Sequence, residues 1–262
     1  MGKVPAMKEA FYFRGGQAAC LLIHGFASTP SEVRWLGEKL HQQGFTTQGV
    51  MLTGHGVTPE DLARTQWSDW YHSAEEAFLE LKQRYEIVFV IGVSMGGLLA
   101  LMLAANYPNH VTAVVTAGTP GGRRFFRDRR IHLAAVAKYF VPYQERRVPA
   151  DIKKLHEEMG RVYYSKRPLA AVHSLLKLVD STIKLLPRVT CPTLIMHSRS
   201  DDVIHWQSAP FIKKHLSNAR LGFVENSAHI ITVDQEREKV LMYIEGFFRE
   251  IMEEEGVMFE FD

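Results

Sequence analysis

Six short apolar runs punctuate the chain: Ala19–Ile23, Thr46–Leu52, Ile87–Val93, Val111–Ala117, Thr193–His197 and Leu221–Glu225. Their apolar character is near-continuous rather than alternating, the pattern of strands covered on both faces. Helical spacing fills the intervals. Trp67, Trp70, Tyr71, Ala74, Ala77, Phe78, Leu81 and Tyr85 recur at three- and four-residue steps, which predicts a helix over Ser68–Arg84 with one apolar face. Ser31–Gln43 and Met95–Asn106 read as further helices, the second stopped by Tyr107-Pro108. Near the end, Val240, Ile244, Phe247, Phe248 and Ile251 mark an amphipathic helix. Strands alternating with helices predict an α/β fold, a mostly parallel sheet with right-handed crossovers. One stretch breaks the rhythm: from Gly118 to about Thr190 there is helical patterning and no convincing strand. The expectation is a core of residues 1–117 and 191–262, interrupted by a mainly helical cap at 118–190 over the sheet edge.

Composition narrows the class without naming it. The 262 residues carry 46% hydrophobic and 23% charged side chains, ordinary proportions that exclude disorder and fibrous repeats. Lys and Arg number 31 against 29 Asp and Glu, so the electrostatic signature of a nucleic-acid binder is absent. Cys20 and Cys191 each stand at an apolar run and read as buried free thiols. Met1-Gly2-Lys3-Val4-Pro5 lacks the apolar stretch of a signal peptide, and no apolar run reaches transmembrane length. A cytoplasmic protein is expected. Its oligomeric state stays open, and the tail's Val257, Phe259 and Phe261 would either fray or dock on a neighbour.

Gly92-Val93-Ser94-Met95-Gly96 carries the pattern Gly-x-Ser-x-Gly immediately after one predicted strand and at the start of a predicted helix. A sharp turn there exposes the serine oxygen, and flanking glycines avoid clashes that a Cβ would cause. The Met95 N–H, at the helix N-terminus, points where an oxyanion would develop. Two rival motifs fail. Gly92 and Gly97 have phosphate-loop spacing, but Leu98-Leu99 replace the Lys-Ser/Thr. His156-Glu157 is followed by Gly160 where a zinc protease needs a second histidine.

A serine hydroxyl needs a base, and the base an orienting acid, on loops beyond later strands in the order Ser, acid, His. The fifth run leads into Ser200-Asp201-Asp202 and the sixth into Ser227-Ala228-His229. His229 is the expected base and Asp201 its partner, with Asp202 as the competing carboxylate. The first run ends in His24-Gly25-Phe26, where the Phe26 N–H is expected as second oxyanion donor and His24 as a loop brace.

Together these segments resemble the α/β-hydrolase superfamily, and within it the small bacterial carboxylesterases and monoacylglycerol lipases. The resemblance rests on Leu22-Ile23-His24-Gly25-Phe26, Gly54-His55-Gly56, the Ser94 motif through Gly97, Ser200-Asp201 and the string from Ser227 to Glu236. It implies the roles just given for Ser94, Asp201, His229, Phe26 and Met95, no cofactor or metal, a helical cap matching the 118–190 insertion, and a structural role for Gly54-His55-Gly56. The implied activity is hydrolysis of short- to medium-chain carboxylic esters through an acyl-enzyme, with monoacylglycerol cleavage as the alternative substrate class. A ligand-binding relative without catalysis is the contrasting class, and cleavage of a C–C bond or an N-terminal proline peptide would use the same triad. In the cap, Phe125, Phe126, Leu133, Val136, Tyr139, Phe140 and Val141 are expected either to line an acyl tunnel or to form the cap's own core. Arg123, Arg124, Arg127, Arg129 and Arg130, with Arg146 and Arg147, read as a solvated face.

Overall fold

The computed structural model describes residues 9–145, 164–254 and 256. Strands β1 (Phe11–Phe13), β2 (Ala18–Ile23), β3 (Thr46–Val50), β4 (Ile87–Val93), β5 (Ala113–Ala117), β8 (Thr193–Ser198) and β9 (Ala219–Val224) form one sheet in the order β1-β3-β2-β4-β5-β8-β9. All its pairings are parallel except that of β1 with β3. The continuous apolar runs are explained by two cores. In β2, Ala19, Leu21 and Ile23 face one core while Ala18, Cys20 and Leu22 face the other. Helices α3 (Trp67–Lys82) and α4 (Met95–Asn106) cover the first face, and α1 (Ser31–Gln42) and the C-terminal helix α8 (Arg237–Glu254) cover the second. The short helices α2 (Pro59–Ala63) and α7 (Ser208–Lys214) follow β3 and β8.

The β5-to-β8 crossover spans the segment expected as a cap. Its described part holds 3₁₀ turns at Arg123–Phe125 and Arg129–Leu133, the one-turn helix α5 (Ala134–Ala137) and the long helix α6 (Leu169–Leu185). Here the expectation of no strand is corrected: β6 (Tyr143–Glu145) pairs antiparallel with β7 (Lys166–Pro168). Each strand is three residues long, too short to show a period. The same brevity hid β1. Helix α6 packs against α3, α4 and α5 and so joins the helix layer over the sheet; Ser174 Oγ accepts the Trp67 N–H at 2.8 Å.

Cys20 and Cys191 are buried free thiols, as expected, although Cys191 lies just before β8 rather than in it. Burial pushes the Cys191 thiol up to about 11 and raises Cys20 well above its ordinary value. Among the described residues no helix is long and apolar enough to cross a membrane. The expectations for Arg146, Arg147, His156, Glu157 and the tail residues Val257, Phe259 and Phe261 fall outside the described residues.

Candidate active site

Ser94 links β4 to α4 with φ 54° and ψ −113°, a left-handed conformation rare for a residue with a Cβ. Its N–H donates to the Ala117 carbonyl at 2.7 Å, and the Gly97 N–H returns to the Ser94 carbonyl at 3.1 Å. The glycines are required by contact. A Cβ on Gly92 would overlap the Gly96 carbonyl, one on Gly96 would overlap the Ile23 carbonyl, and one on Gly97 would overlap Thr119 Oγ1. The elbow therefore presses the Ser94 turn against the end of β2.

His229 Nε2 lies 2.9 Å from Ser94 Oγ, and its Nδ1 lies 2.8 Å from Asp201 Oδ2. Asp201 Oδ1 accepts the Val203 and Ile204 amides, each at 2.8 Å. Asp202 is exposed, so Asp201 is the carboxylate that meets the imidazole. Burial works against the Asp201 charge, but side-chain hydrogen bonds from His197 and then His229 outweigh it and hold the carboxyl well below the usual range.

The loop carrying His229 is laced by its own sequence. Glu236 accepts the Asn226 amide at 2.7 Å, the Glu225 amide at 3.2 Å and the Ser227 hydroxyl at 3.0 Å. Asp234 accepts the Ala228 amide at 2.6 Å. Ser198 Oγ donates to the Ser227 carbonyl, which ties the acid loop to the histidine loop. Gly118, at φ +63°, closes the other side; a Cβ there would stand 3.3 Å from His229 Nδ1.

Gly25 follows β2, and a Cβ there would stand 3.4 Å from Ser94 Cβ, so the loop passes directly over Ser94. The buried Glu32 carboxylate, on α1, accepts the Gly25 N–H at 2.9 Å. Among the described residues no acceptor is paired with the Phe26 N–H. Met95 opens α4, so its N–H has no acceptor within the helix. His24 braces the loop as expected: its Nε2 accepts the Leu52 amide at 3.2 Å and its Nδ1 donates to the Gly25 carbonyl at 2.8 Å. His55 is buried between the rings of His24, Phe26 and Trp70, on a turn whose Gly54 and Gly56 have φ of +77° and +78°. Burial, then the neighbouring His24, lowers the His55 imidazole to about 3. Sequence reasoning missed Glu32, Gly118 and His197; the visible signal for His197 was a lone imidazole ending an otherwise apolar run.

One expectation for the 118–190 segment is corrected. Phe125 and Phe126 are buried, but Leu133, Val136, Tyr139, Phe140 and Val141 are exposed, so they are neither a cap core nor a closed tunnel. The one-turn helix α5, which carries Val136, buries Ala134 instead. Of the arginines, Arg124, Arg127, Arg129 and Arg130 are exposed, as a solvated face requires, and Arg123 is half-buried. Arg123 pairs with Asp180, Arg124 lies over the Phe125 and Phe211 rings at 4.8 and 4.6 Å, and Arg127 Nε donates to the Asp201 carbonyl at 2.7 Å. An open groove of about 810 Å³ beside Arg124, Arg127 and Arg129 includes none of Ser94, Asp201 and His229.

A mostly parallel sheet covered by helices on both faces, with a serine on a strand-to-helix elbow, defines an α/β-hydrolase fold. A family model described as serine aminopeptidase, S33 matches residues 16–236. The chain belongs to this family. It is 32% identical over 252 residues to a thermostable monoacylglycerol lipase of Bacillus sp. (strain H-257), covering 92% of this chain and 94% of that one. It is 29% identical over 248 residues to a carboxylesterase of Bacillus subtilis (strain 168), covering 93% and 97%. Among solved structures, a metagenome-derived lipolytic enzyme superposes with a TM-score of 0.84 at 27% identity, covering 94% of this chain and 98% of that one. The monoacylglycerol lipase of Paleococcus ferrophilus superposes with a TM-score of 0.75 at 17% identity, covering 91% and 97%, a likeness of fold.

Proposed function

We propose that this chain is a cytoplasmic carboxylesterase that hydrolyses short- to medium-chain acyl esters with Ser94 as nucleophile, His229 as base and Asp201 as its orienting acid. Ser94 Oγ attacks the ester carbonyl as His229 Nε2 takes its proton. Asp201 stabilises the resulting imidazolium, and the Phe26 and Met95 N–H groups receive the oxyanion. The imidazolium returns the proton to the leaving alcohol, and water repeats both steps on the acyl-enzyme. The observation that carries this reading is the unbroken hydrogen-bonded chain from Ser94 Oγ through His229 to Asp201, at 2.9 and 2.8 Å. Residues 118–190 act as the cap in this reading, with α6 as its root and the preceding segment shaping the acyl site.

The second reading is a monoacylglycerol lipase, favoured by the 32% identity to a relative of that name. Initial rates on p-nitrophenyl esters of increasing chain length, with 1-monoacylglycerols and proline amides alongside, separate the readings. Highest kcat/KM on short and medium esters supports the carboxylesterase, and a maximum on long-chain monoacylglycerols supports the lipase. Hydrolysis of proline amides alone overturns both. A chain that ignores a fluorophosphonate probe would be a binding protein.

A further inference from the structure

Asp201 has a partner that the proton relay does not use. His197, in the last turn-facing part of β8, is fully buried, and its Nε2 stands 3.1 Å from Asp201 Oδ2 and 3.3 Å from the Ile204 carbonyl. Both neighbours are acceptors, so Nε2 carries the hydrogen. His197 Nδ1 is buried with no hydrogen-bond partner among the described residues. A hydrogen on Nδ1 would have no acceptor in the interior, so Nε2 is the nitrogen that donates.

The hydrogen it donates reaches the same oxygen that accepts from His229 Nδ1. With the Val203 and Ile204 amides on Oδ1, the carboxylate is held by four N–H groups. Three belong to β8 and the turn after it. The fourth, on His229, must move protons between Ser94 and a leaving group, and it cannot both do that and fix its own anchor. Without His197, Oδ2 would be held only by that moving ring.

We propose that His197 is a positioning residue for ester hydrolysis, holding Asp201 Oδ2 in place so that the acid stays aimed at His229 Nδ1 while the imidazole turns over. The proposal rests on the triad assignment above. A displacement of the imidazole by a fraction of an ångström to 1 Å costs up to about 10²-fold in rate.

The test compares His197→Leu, which removes the donor, with His197→Gln, whose amide N–H reaches toward Oδ2. On a short p-nitrophenyl ester, H197L is expected to lose about 10- to 100-fold in kcat with KM within about twofold. H197Q is expected within about fivefold of the unaltered enzyme. Proton NMR should show the low-field His229 Nδ1–H resonance moved in H197L and restored in H197Q. Should H197L not fold, His197→Asn, too short to reach Oδ2, takes its place against H197Q. Wild-type kcat in the donor-free variant, or equal impairment of the glutamine and donor-free variants, overturns the proposal. The fluorophosphonate labelling rate reads the same comparison on any substrate, so failure of ester hydrolysis by the unaltered enzyme sinks the function reading alone.

Discussion

An alanine at position 94 removes the hydroxyl that would bond to an acyl carbon and leaves its neighbours in place. Ser94→Ala is therefore expected to lose roughly 10⁴- to 10⁶-fold in kcat on esters and all fluorophosphonate labelling. The two adjacent carboxylates divide sharply. Asp201 receives the imidazole and two amides, whereas Asp202 is exposed. Asp201→Asn should lower kcat about 10⁴-fold, and Asp202→Asn should stay within about twofold. Steady-state kinetics on one ester decides both. Gly118→Ala combines a strained positive φ with a Cβ against the His229 ring, so kcat should fall about 10-fold or more through displacement of the base. The sequence let the acid be narrowed to two neighbours because the loop after a strand was visible. It favoured Asp201 over Asp202, but the Val203 and Ile204 amides that hold Asp201 Oδ1 were not visible in it.

At the scale of elements, the sheet and its flanking helices were legible because burial on both faces writes long apolar runs. Met95–Asn106 and Ile87–Val93 were read with the bounds they have. β1, β6 and β7 were not, because three residues of an antiparallel edge or a short pair carry no usable period. The exposed face of the insertion was misjudged for a related reason: apolar spacing predicts a buried side only where another element covers it. The helix α8 was legible, and it is fastened by Phe248, whose ring stacks on Phe89 at 3.9 Å and tilts onto Phe45 at 5.7 Å. Phe248→Ala should cost about 3–5 kcal/mol in urea unfolding, because the cavity opens beneath a whole helix rather than under a loop. The elbow glycines hold three elements at once. Gly96→Ala would drive a Cβ into the end of β2, with a loss of activity and about 1–3 kcal/mol of stability.

Across the whole molecule, acid sensitivity follows from histidines kept neutral inside. The His55 imidazole is lowered to about 3 by burial and by His24, and burial lowers His24 as well. As pH falls below about 6.5, the unfolded chain binds protons that the folded one refuses, so stability declines. The slope from His55 is about 1.4 kcal/mol per pH unit across this range, and His24 adds to it in the same direction. The melting temperature should fall steadily from about pH 6.5 to pH 4, and His55→Gln should flatten that slope in a calorimetric series. The order of the strands has a consequence in time. β5 ends at Ala117 and its neighbour β8 begins at Thr193, so their pairing closes a loop of about 75 residues. Such long closures cost more entropy than local ones and slow folding. Ser94 lies before that loop, and Asp201 and His229 lie after it. Trp35, Trp67 and Trp70, three of the four tryptophans, also lie before it. On dilution from denaturant, tryptophan fluorescence should recover first and hydrolytic activity should trail it. The enzyme's turnover would then serve as a clock for the last seam of its sheet.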